Sequence, residues 1–341
     1  MHVILSRGFA GSERSTAESC NEQCKHHDVT LVISNRHRKR GTSIVDHLDP
    51  RVKVRTVSAR FLVKRSLKKI ISETQPHVIH CHLRRSTRVI AKLAPRAATV
   101  STLHITVNGP HFEKMDGLIC NARWQLADIP ESYRGQTFKA NNSVTPHPQL
   151  PESEKQKLRA ELGISEEIYL IGAVGRYHPS KAWDTLIKAF SKIDETNVKL
   201  LFFGSGSQES DLKALAEGNH KIAFAGYREN IKDLYQCFDL LVCPSRFEPL
   251  PRVILEGMDA GVPVLASDAG GCKELIDDYG GYLFETDNIE QLSEALKKCI
   301  IQRPKRHKPD LSAHHIENAN QALVTFYREL AINKGLLGNT D

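Results

Sequence analysis

Two carboxylates, Glu248 and Glu256, stand with seven residues between them in the segment 244–271, PSRFEPLPRVILEGMDAGVPVLASDAGG. An apolar run at 240–243 precedes them, and helical spacing begins near Arg252. Glu248 therefore falls in a loop at a strand's end, and Glu256 about one turn inside a helix. The first N–H groups of a helix have no intrahelical acceptor and carry positive partial charge, so this helix start suits a phosphate. A diphosphate held there leaves Glu256 near an adjoining ribose, where a carboxylate accepts from two hydroxyls. Glu248, further out in the loop, suits hydroxyls of a sugar. Taken alone, each glutamate is most often a solvated surface residue.

The segment GAVGRYHPSKAW at 172–183 reads as a buried strand that ends at Gly175 and then presents Arg176 and Lys181 ahead of a helix. Two such cations suit a diphosphate, the arginine as a fork of donors and the lysine as a point charge. Gly11, at the end of the first strand, either admits a phosphate close to backbone or only makes a turn. His104 follows the strand-like Ser101-Thr-Leu. His80 and His82 share one strand face, a zinc-like pair with no third ligand apparent nearby, so no metal site is assigned. The eight cysteines are scattered, at spacings that match no zinc or disulfide framework. Cys81, Cys120 and Cys243 lie in apolar runs, as small buried thiols do.

The elements that must position these residues alternate. In the first half, strands are expected at 3–5, 28–33, 52–57, 77–82, 100–105 and 117–121, with helices at 12–25 and 60–72. The second of these helices is basic and amphipathic, with Phe61, Leu62, Leu67, Ile70 and Ile71 as its apolar set. Residues 141–153, rich in Pro and Ser, read as a linker. Strands resume at 169–174, 198–203, 222–224, 240–243 and 263–266, with a helix at 183–193 and others between the strands; a last helix at 316–330 has no strand after it. Strands alternating with helices imply parallel βαβ units, hence an α/β protein of two Rossmann-like halves. Open sheets of this kind place ligands beyond the carboxyl ends of their strands. The expected domains are 1–150 and 151–315, with the helix 316–332 packing back on the first.

Length and composition agree with two domains: 341 residues, 40% hydrophobic and 26% charged. No apolar run reaches the length of a membrane-spanning helix, and the start is too short and too quickly polar for a signal peptide, so a cytoplasmic protein is expected. The net charge of +7 divides unevenly, +14 in residues 1–160 and −7 in 161–341. The basic clusters are Arg36, Arg38, Lys39 and Arg40; Arg60, Lys64, Arg65, Lys68 and Lys69; and Arg84, Arg85, Arg88, Lys92 and Arg96. They predict an anionic partner. Peripheral association with the cytoplasmic face of an inner membrane, and a lipid-linked or phosphorylated acceptor, are the expectation. Nucleic acid is the competing partner, but no aromatics interleave the basic residues and no binding motif is present.

The Glu248–Glu256 pair, followed by Gly257-Met, by Gly261-Val-Pro-Val-Leu-Ala-Ser and by Gly270-Gly, resembles the signature of the retaining glycosyltransferases of family 4. Gly175-Arg with Lys181 upstream, Phe224-Ala-Gly-Tyr227-Arg, the His80/His82 strand, His104 and Asn142-Ser-Val resemble that family in order and spacing, so the likeness spans essentially the whole chain. It implies the GT-B fold, two Rossmann-like domains facing each other across a cleft, and a nucleotide-diphosphate sugar as donor without a cofactor. It further implies that Arg176 and Lys181 hold the diphosphate, that Glu256 binds ribose, and that Glu248 contacts the donor sugar. By the same likeness, backbone near Tyr227 and Arg228 meets the base, and His104 and Gly11 reach the donor from the first domain. The acceptor implied is a lipid-linked or cell-surface glycan, such as a lipopolysaccharide core. Three positions depart from the pattern: Ala10 precedes Gly11 in place of a paired glycine, Ala182 follows the lysine where glycine is usual, and Pro251 stands where glycine is frequent. Because proline has no N–H, the donor must use the amides of Leu250 and Arg252. The sequence has no Asp-x-Asp pair for Mg²⁺, and a metal-independent reaction is expected. Another sugar-nucleotide enzyme of the same fold, an epimerase or hydrolase, is the alternative.

Overall fold

The computed structural model describes residues 1–37, 43–58, 62–104 and 106–338. Arg38, Lys39, Arg40, Arg60 and Phe61 lie outside the described residues. The chain divides into two compact units, Met1–Ser143 with the segment from Ala313 onward, and Val144–Ser312.

The first unit is built on a seven-stranded sheet: β1 His2–Ile4, β2 Thr30–Ser34, β3 Lys53–Val57, β4 Val78–His82, β5 Ala98–Leu103, β6 Gly117–Cys120 and β7 Gln136–Lys139. The order is β3-β2-β1-β4-β5-β6-β7, and every pairing is parallel. β2 and β5 are buried along their whole length, as strands covered by helices on both faces must be. The helix Val63–Thr74 buries Val63, Leu67 and Ile70 and leaves Lys64, Arg65, Lys68 and Lys69 exposed. The last helix, Ile316–Asn333, closes this unit: its Leu323, Phe326, Tyr327 and Leu330 pack with Ala98, Val100 and Ile119. The fit is close, since a Cβ on Gly117 would lie 2.7 Å from Leu330 Cδ1.

The second unit repeats the plan with six strands: β8 Tyr169–Val174, β9 Val198–Phe203, β10 Ile222–Gly226, β11 Leu240–Cys243, β12 Val264–Ser267 and β13 Tyr282–Phe284. The order β10-β9-β8-β11-β12-β13 is again wholly parallel. Winding runs outward from β8 in one direction and from β11 in the other, so the reversal falls between these two neighbours. The loops that follow them open at the crevice where such sheets hold ligands.

The division between units comes earlier than expected. Residues 144–150 belong to the second unit because polar side chains hold them there. His147 donates its backbone N–H to Asp259 Oδ2 (2.8 Å), and its Nε2 lies 2.7 Å from Asp233 Oδ1. The Gln236 amide pins both the Leu150 N–H (2.8 Å) and the Pro148 carbonyl (2.9 Å). The stretch 141–153 reads as a linker because it lacks periodicity, yet most of it is anchored, and its end opens the helix Glu152–Glu161.

Candidate active site

Lys181 and Glu248 meet in the second unit. The chain leaves β8 through Gly175, whose φ of +154° is a glycine conformation, and turns through a 3₁₀ segment, Pro179–Lys181, into the helix Trp183–Phe190. From the neighbouring β11 it enters the loop 244–251. Lys181 Nζ bonds Glu248 Oε1, and the same oxygen accepts from Ser245 Oγ at 3.0 Å. Glu248 is only 8% exposed. Burial works against the charge of the Lys181 ammonium, but the Glu248 carboxylate outweighs it and holds the lysine above its ordinary pKa. The positive charge of the lysine thus sits directly against the Glu248 side chain.

The loop bearing Glu248 is held from several sides. Ser267, at the end of β12, donates its hydroxyl to the Ser245 carbonyl (2.6 Å), and Gly271 N–H donates to the Glu248 carbonyl (3.0 Å). Residue 271 must be glycine, because a Cβ there would come within 2.1 Å of the Pro249 carbonyl oxygen. Arg246 is the clamp. Its guanidinium donates to both carboxylate oxygens of Asp184 (3.0 and 2.9 Å), to Asp287 (2.8 Å) and to the Pro179 carbonyl (2.7 Å), while its N–H donates to Ser180 O (2.9 Å). It ties the loop after β8 to the loop after β11 and so sets the register of Lys181 against Glu248. Sequence reasoning missed Arg246. Its partners lie dozens of residues away, on a helix start and other loops, and no local spacing announces them.

The helix Arg252–Asp259 begins at Pro251, with no capping side chain and no acid in its first turn. Glu256 is 8% exposed and accepts from Tyr235 OH at 3.1 Å; Arg252 Nη2 is 4.0 Å from its other oxygen. It is therefore no solvated surface residue, and its partners differ from those of Glu248. Leu250 is buried beside this helix start. Arg176, expected to converge with Lys181, is exposed, and among the described residues only its carbonyl is engaged, accepting from Trp183 Nε1 at 3.0 Å. Tyr227 is 74% exposed, and Arg228 donates to Ala225 O at 3.2 Å, both just past β10 at the sheet's edge. Cys243 and Cys272, whose Sγ atoms are 4.0 Å apart beneath the Glu248 loop, are free thiols, as are the other six cysteines, and all eight are buried.

In the first unit, His104 follows β5, and its Nδ1 lies 3.3 Å from Ser12 Oγ on the helix Gly11–Gln23. Burial lowers its pKa to about 4, so the ring is neutral near pH 7, and its Nε2 has no hydrogen-bond partner among the described residues. A Cβ on Gly11 would meet nothing within 4 Å, so packing does not demand glycine there. The expected lack of a third ligand beside His80 and His82 is corrected: His2, paired through β1 and β4, brings a third imidazole. These rings have protein partners. His2 Nδ1 lies 3.0 Å from His82 Nε2 and His2 Nε2 2.9 Å from Gln23 Oε1, while His80 lies 2.6 Å from Thr102 Oγ1 and 2.5 Å from Tyr327 OH. A cation must displace these bonds to be held by all three. Among the described residues, no helix is long and apolar enough to cross a membrane.

Known proteins resemble this chain in sequence and fold. The family "Glycosyl transferases group 1" matches residues 154–322, and "Glycosyl transferase 4-like" matches residues 10–122. An uncharacterized glycosyltransferase of Methanocaldococcus jannaschii is 38% identical over 133 residues, 37% of this chain and 34% of that protein. The lipopolysaccharide glucosyltransferase WaaG of Escherichia coli K12 is 31% identical over 207 residues, 56% of this chain and 54% of that protein. The chain thus spans about half or less of the length of these curated relatives. Among solved structures, Anabaena HepE in complex with UDP and glucose superposes with a TM-score of 0.74 at 19% identity, covering 98% of this chain and 99% of that one. Both units thus have the Rossmann-like build of the GT-B fold.

Proposed function

The chain belongs to the GT-B glycosyltransferases of the group 1 and 4-like kind, and from that premise we propose that it transfers a sugar from a nucleotide-diphosphate donor, with retention and without a metal ion. The observation that carries this reading is the Lys181–Glu248 pair, its carboxylate buried and its lysine half-buried, at the switch point of the second sheet. A nucleotide sugar offers both halves of that pair a new partner. Its diphosphate takes the ammonium of Lys181, and its sugar hydroxyls take the carboxylate of Glu248. The exchange keeps each buried group satisfied and leaves Lys181 against the oxygen on which charge grows as the glycosidic bond breaks. Arg176, exposed and without a side-chain partner among the described residues, supplies a second cation to the leaving phosphate. Glu256, steadied by Tyr235, is the ribose acceptor, with backbone near Leu250, Arg252, Tyr227 and Arg228 serving the remaining nucleotide contacts. Gly11 and His104 belong to the first unit, and a neutral imidazole there suits a hydrogen bond to a donor hydroxyl. With acceptor attack on the face that the diphosphate vacates, the departing phosphate takes the acceptor proton.

The acceptor on this reading is a lipid-linked or cell-surface glycan, a lipopolysaccharide core among them. The exposed cations of the helix Val63–Thr74 and the name of the E. coli relative support it. The same cations favour a cytoplasmic enzyme lying on an anionic membrane face rather than one bound to nucleic acid. Two measurements test the reading. Sugar transfer from a panel of nucleotide sugars should persist in excess chelator, and complete loss would refute metal independence. Flotation with anionic vesicles should be strong at low salt and weak at high salt, and no binding at low salt would refute the membrane role.

A further inference from the structure

The basic residues of the first unit are not one diffuse surface. The helix Leu83–Leu93 starts directly after β4 with no acid in its first turn and no capping side chain. Arg84, Arg88 and Lys92 recur at four-residue spacing, so they share one face, and all three are exposed. Arg85 points elsewhere, toward the Leu5 carbonyl (3.4 Å). Like charges at this spacing repel, and an arginine in the first turn opposes the positive end of the helix. Ordinary surface helices relieve such a row with acids. Here the acids of the facing loop are turned away: Glu113 accepts from Ser132 (3.2 Å), and Asp116 takes Thr99 (2.7 Å) and Lys334 (2.8 Å). Among the described residues, Arg84, Arg88 and Lys92 have no ion-pair partner.

His111 lies against this row. A Cβ on Gly109, whose φ is +104°, would lie 3.0 Å from His111 Cε1 and 3.9 Å from Arg84 Nη2, so imidazole and guanidinium flank one glycine. His111 is 9% exposed, and its Nε2 has no hydrogen-bond partner among the described residues. Burial first, and then Arg84, Arg88 and Lys92, lower its pKa. A buried imidazole unpartnered at one nitrogen, beside Arg84 and a row of cations without ion-pair partners among the described residues, is a local conflict that a bound anion resolves.

We propose that the face formed by Arg84, Arg88, Lys92 and His111 binds a phosphate ester of the acceptor. This rests on the glycosyl-transfer reading and narrows it: the acceptor carries phosphate, and this face grips it. Two arginines in the row give forked donors that match phosphate oxygens. A phosphate at the row also restores the negative charge that the first turn of the helix lacks.

The test follows the ring resonance of His111 in the full-length protein, assigned with His111→Gln, during titration with inorganic phosphate against sodium chloride of equal ionic strength. Saturable movement with phosphate but not chloride is expected. The Arg84→Gln/Arg88→Gln variant should weaken it by about tenfold or more, while Lys213→Gln/Lys273→Gln, at exposed lysines of the second unit, should leave it unchanged. A parallel arm uses neutral vesicles with and without phosphatidic acid at matched phosphate. A response stronger than that to free phosphate identifies a lipid-borne ester. No movement in either arm, equal movement with chloride, or equal loss in both variants overturns the proposal. Donor binding is followed separately in the same samples through Trp183 of the second unit. Phosphate binding at His111 without sugar transfer would sink the enzymatic reading and not this site, and transfer without a His111 response would do the reverse.

Discussion

Replacing Lys181 with methionine should destabilise the second unit because it strands a charge, not because it removes a contact. Glu248 is 8% exposed, and the lysine is its only cationic partner among the described residues. Leaving one member of a buried pair alone costs about 3–5 kcal/mol, while replacing both by neutral groups of similar volume is close to neutral. Lys181→Met should therefore cost about 3–5 kcal/mol, and adding Glu248→Gln should recover most of it, a coupling of at least about 3 kcal/mol. Binding should not recover: either single variant and the double should all lose affinity for nucleotide sugars. Where turnover is measured, loss of Lys181 should lower kcat by about 10²–10³-fold, as for other groups that meet transition-state charge. The two tryptophans lie in different units, Trp124 in the first and Trp183, fully buried, in the second. Urea unfolding in a Trp124→Phe background thus reports the second unit by itself. A coupling below about 1 kcal/mol would refute the buried-pair argument. A double variant that bound nucleotide sugars like the parent would refute the exchange of partners proposed for the site.

Three further outcomes follow from the same structure. Arg246→Ala should cost about 2 kcal/mol and loosen nucleotide-sugar binding, and Arg246→Lys should not rescue it, because one ammonium cannot span Asp184, Asp287 and the Pro179 carbonyl; a fully stable lysine variant would sink this role. Gly271→Ala should disrupt the Glu248 loop and abolish donor binding while leaving the first unit's unfolding unchanged, since its Cβ would strike the Pro249 carbonyl at 2.1 Å; calorimetry with a panel of nucleoside diphosphates checks it, and parent-like affinity would count against the packing argument. The first unit should be acid-sensitive: burial lowers the pKa of His2 to about 3 and of His104 to about 4, and holds His80 and His82 well below 6.5. Depressed histidine pKa values mean that the unfolded chain takes up protons first as pH falls through about 6.5. Each ring then costs about 1.4 kcal/mol at pH 5.5, about 5.5 kcal/mol for the four. Trp124 fluorescence in a Trp183→Phe background measures this, and stability unchanged between pH 7.5 and 5.5 would refute it.

What could be read in advance was local. Alternating apolar runs and helical spacing reveal βαβ units, and a strand that ends in Gly175 or at Pro244 reveals a loop at a strand's carboxyl end. Once two such loops follow strands on either side of a winding reversal, their residues share a crevice. Periodicity failed where the chain has little of it. β7, Gln136–Lys139, has no buried residue, and β13 has three residues. The anchored stretch 144–150 is ordered by side chains from distant helices. Ala182 is a subtler case. Its φ of +53° is the left-handed conformation that glycine adopts at no cost, which accounts for the usual glycine after the lysine. Neither the angle nor the demand is visible in a residue name.

Pairing between loops was the harder part. Sequence reasoning sent Arg176 and Lys181 together to a diphosphate and Glu248 separately to a sugar. The structure joins Lys181 to Glu248 directly and leaves the Arg176 side chain exposed. That difference bears on selectivity. An inorganic phosphate that draws Lys181 away leaves Glu248 buried and charged, and a neutral sugar that draws Glu248 away does the same to Lys181. Each pays a desolvation penalty that a ligand presenting both a diphosphate and adjacent hydroxyls avoids. A self-neutralised pair therefore favours a whole nucleotide sugar over its parts, a discrimination that two unpaired residues at the same positions would not provide.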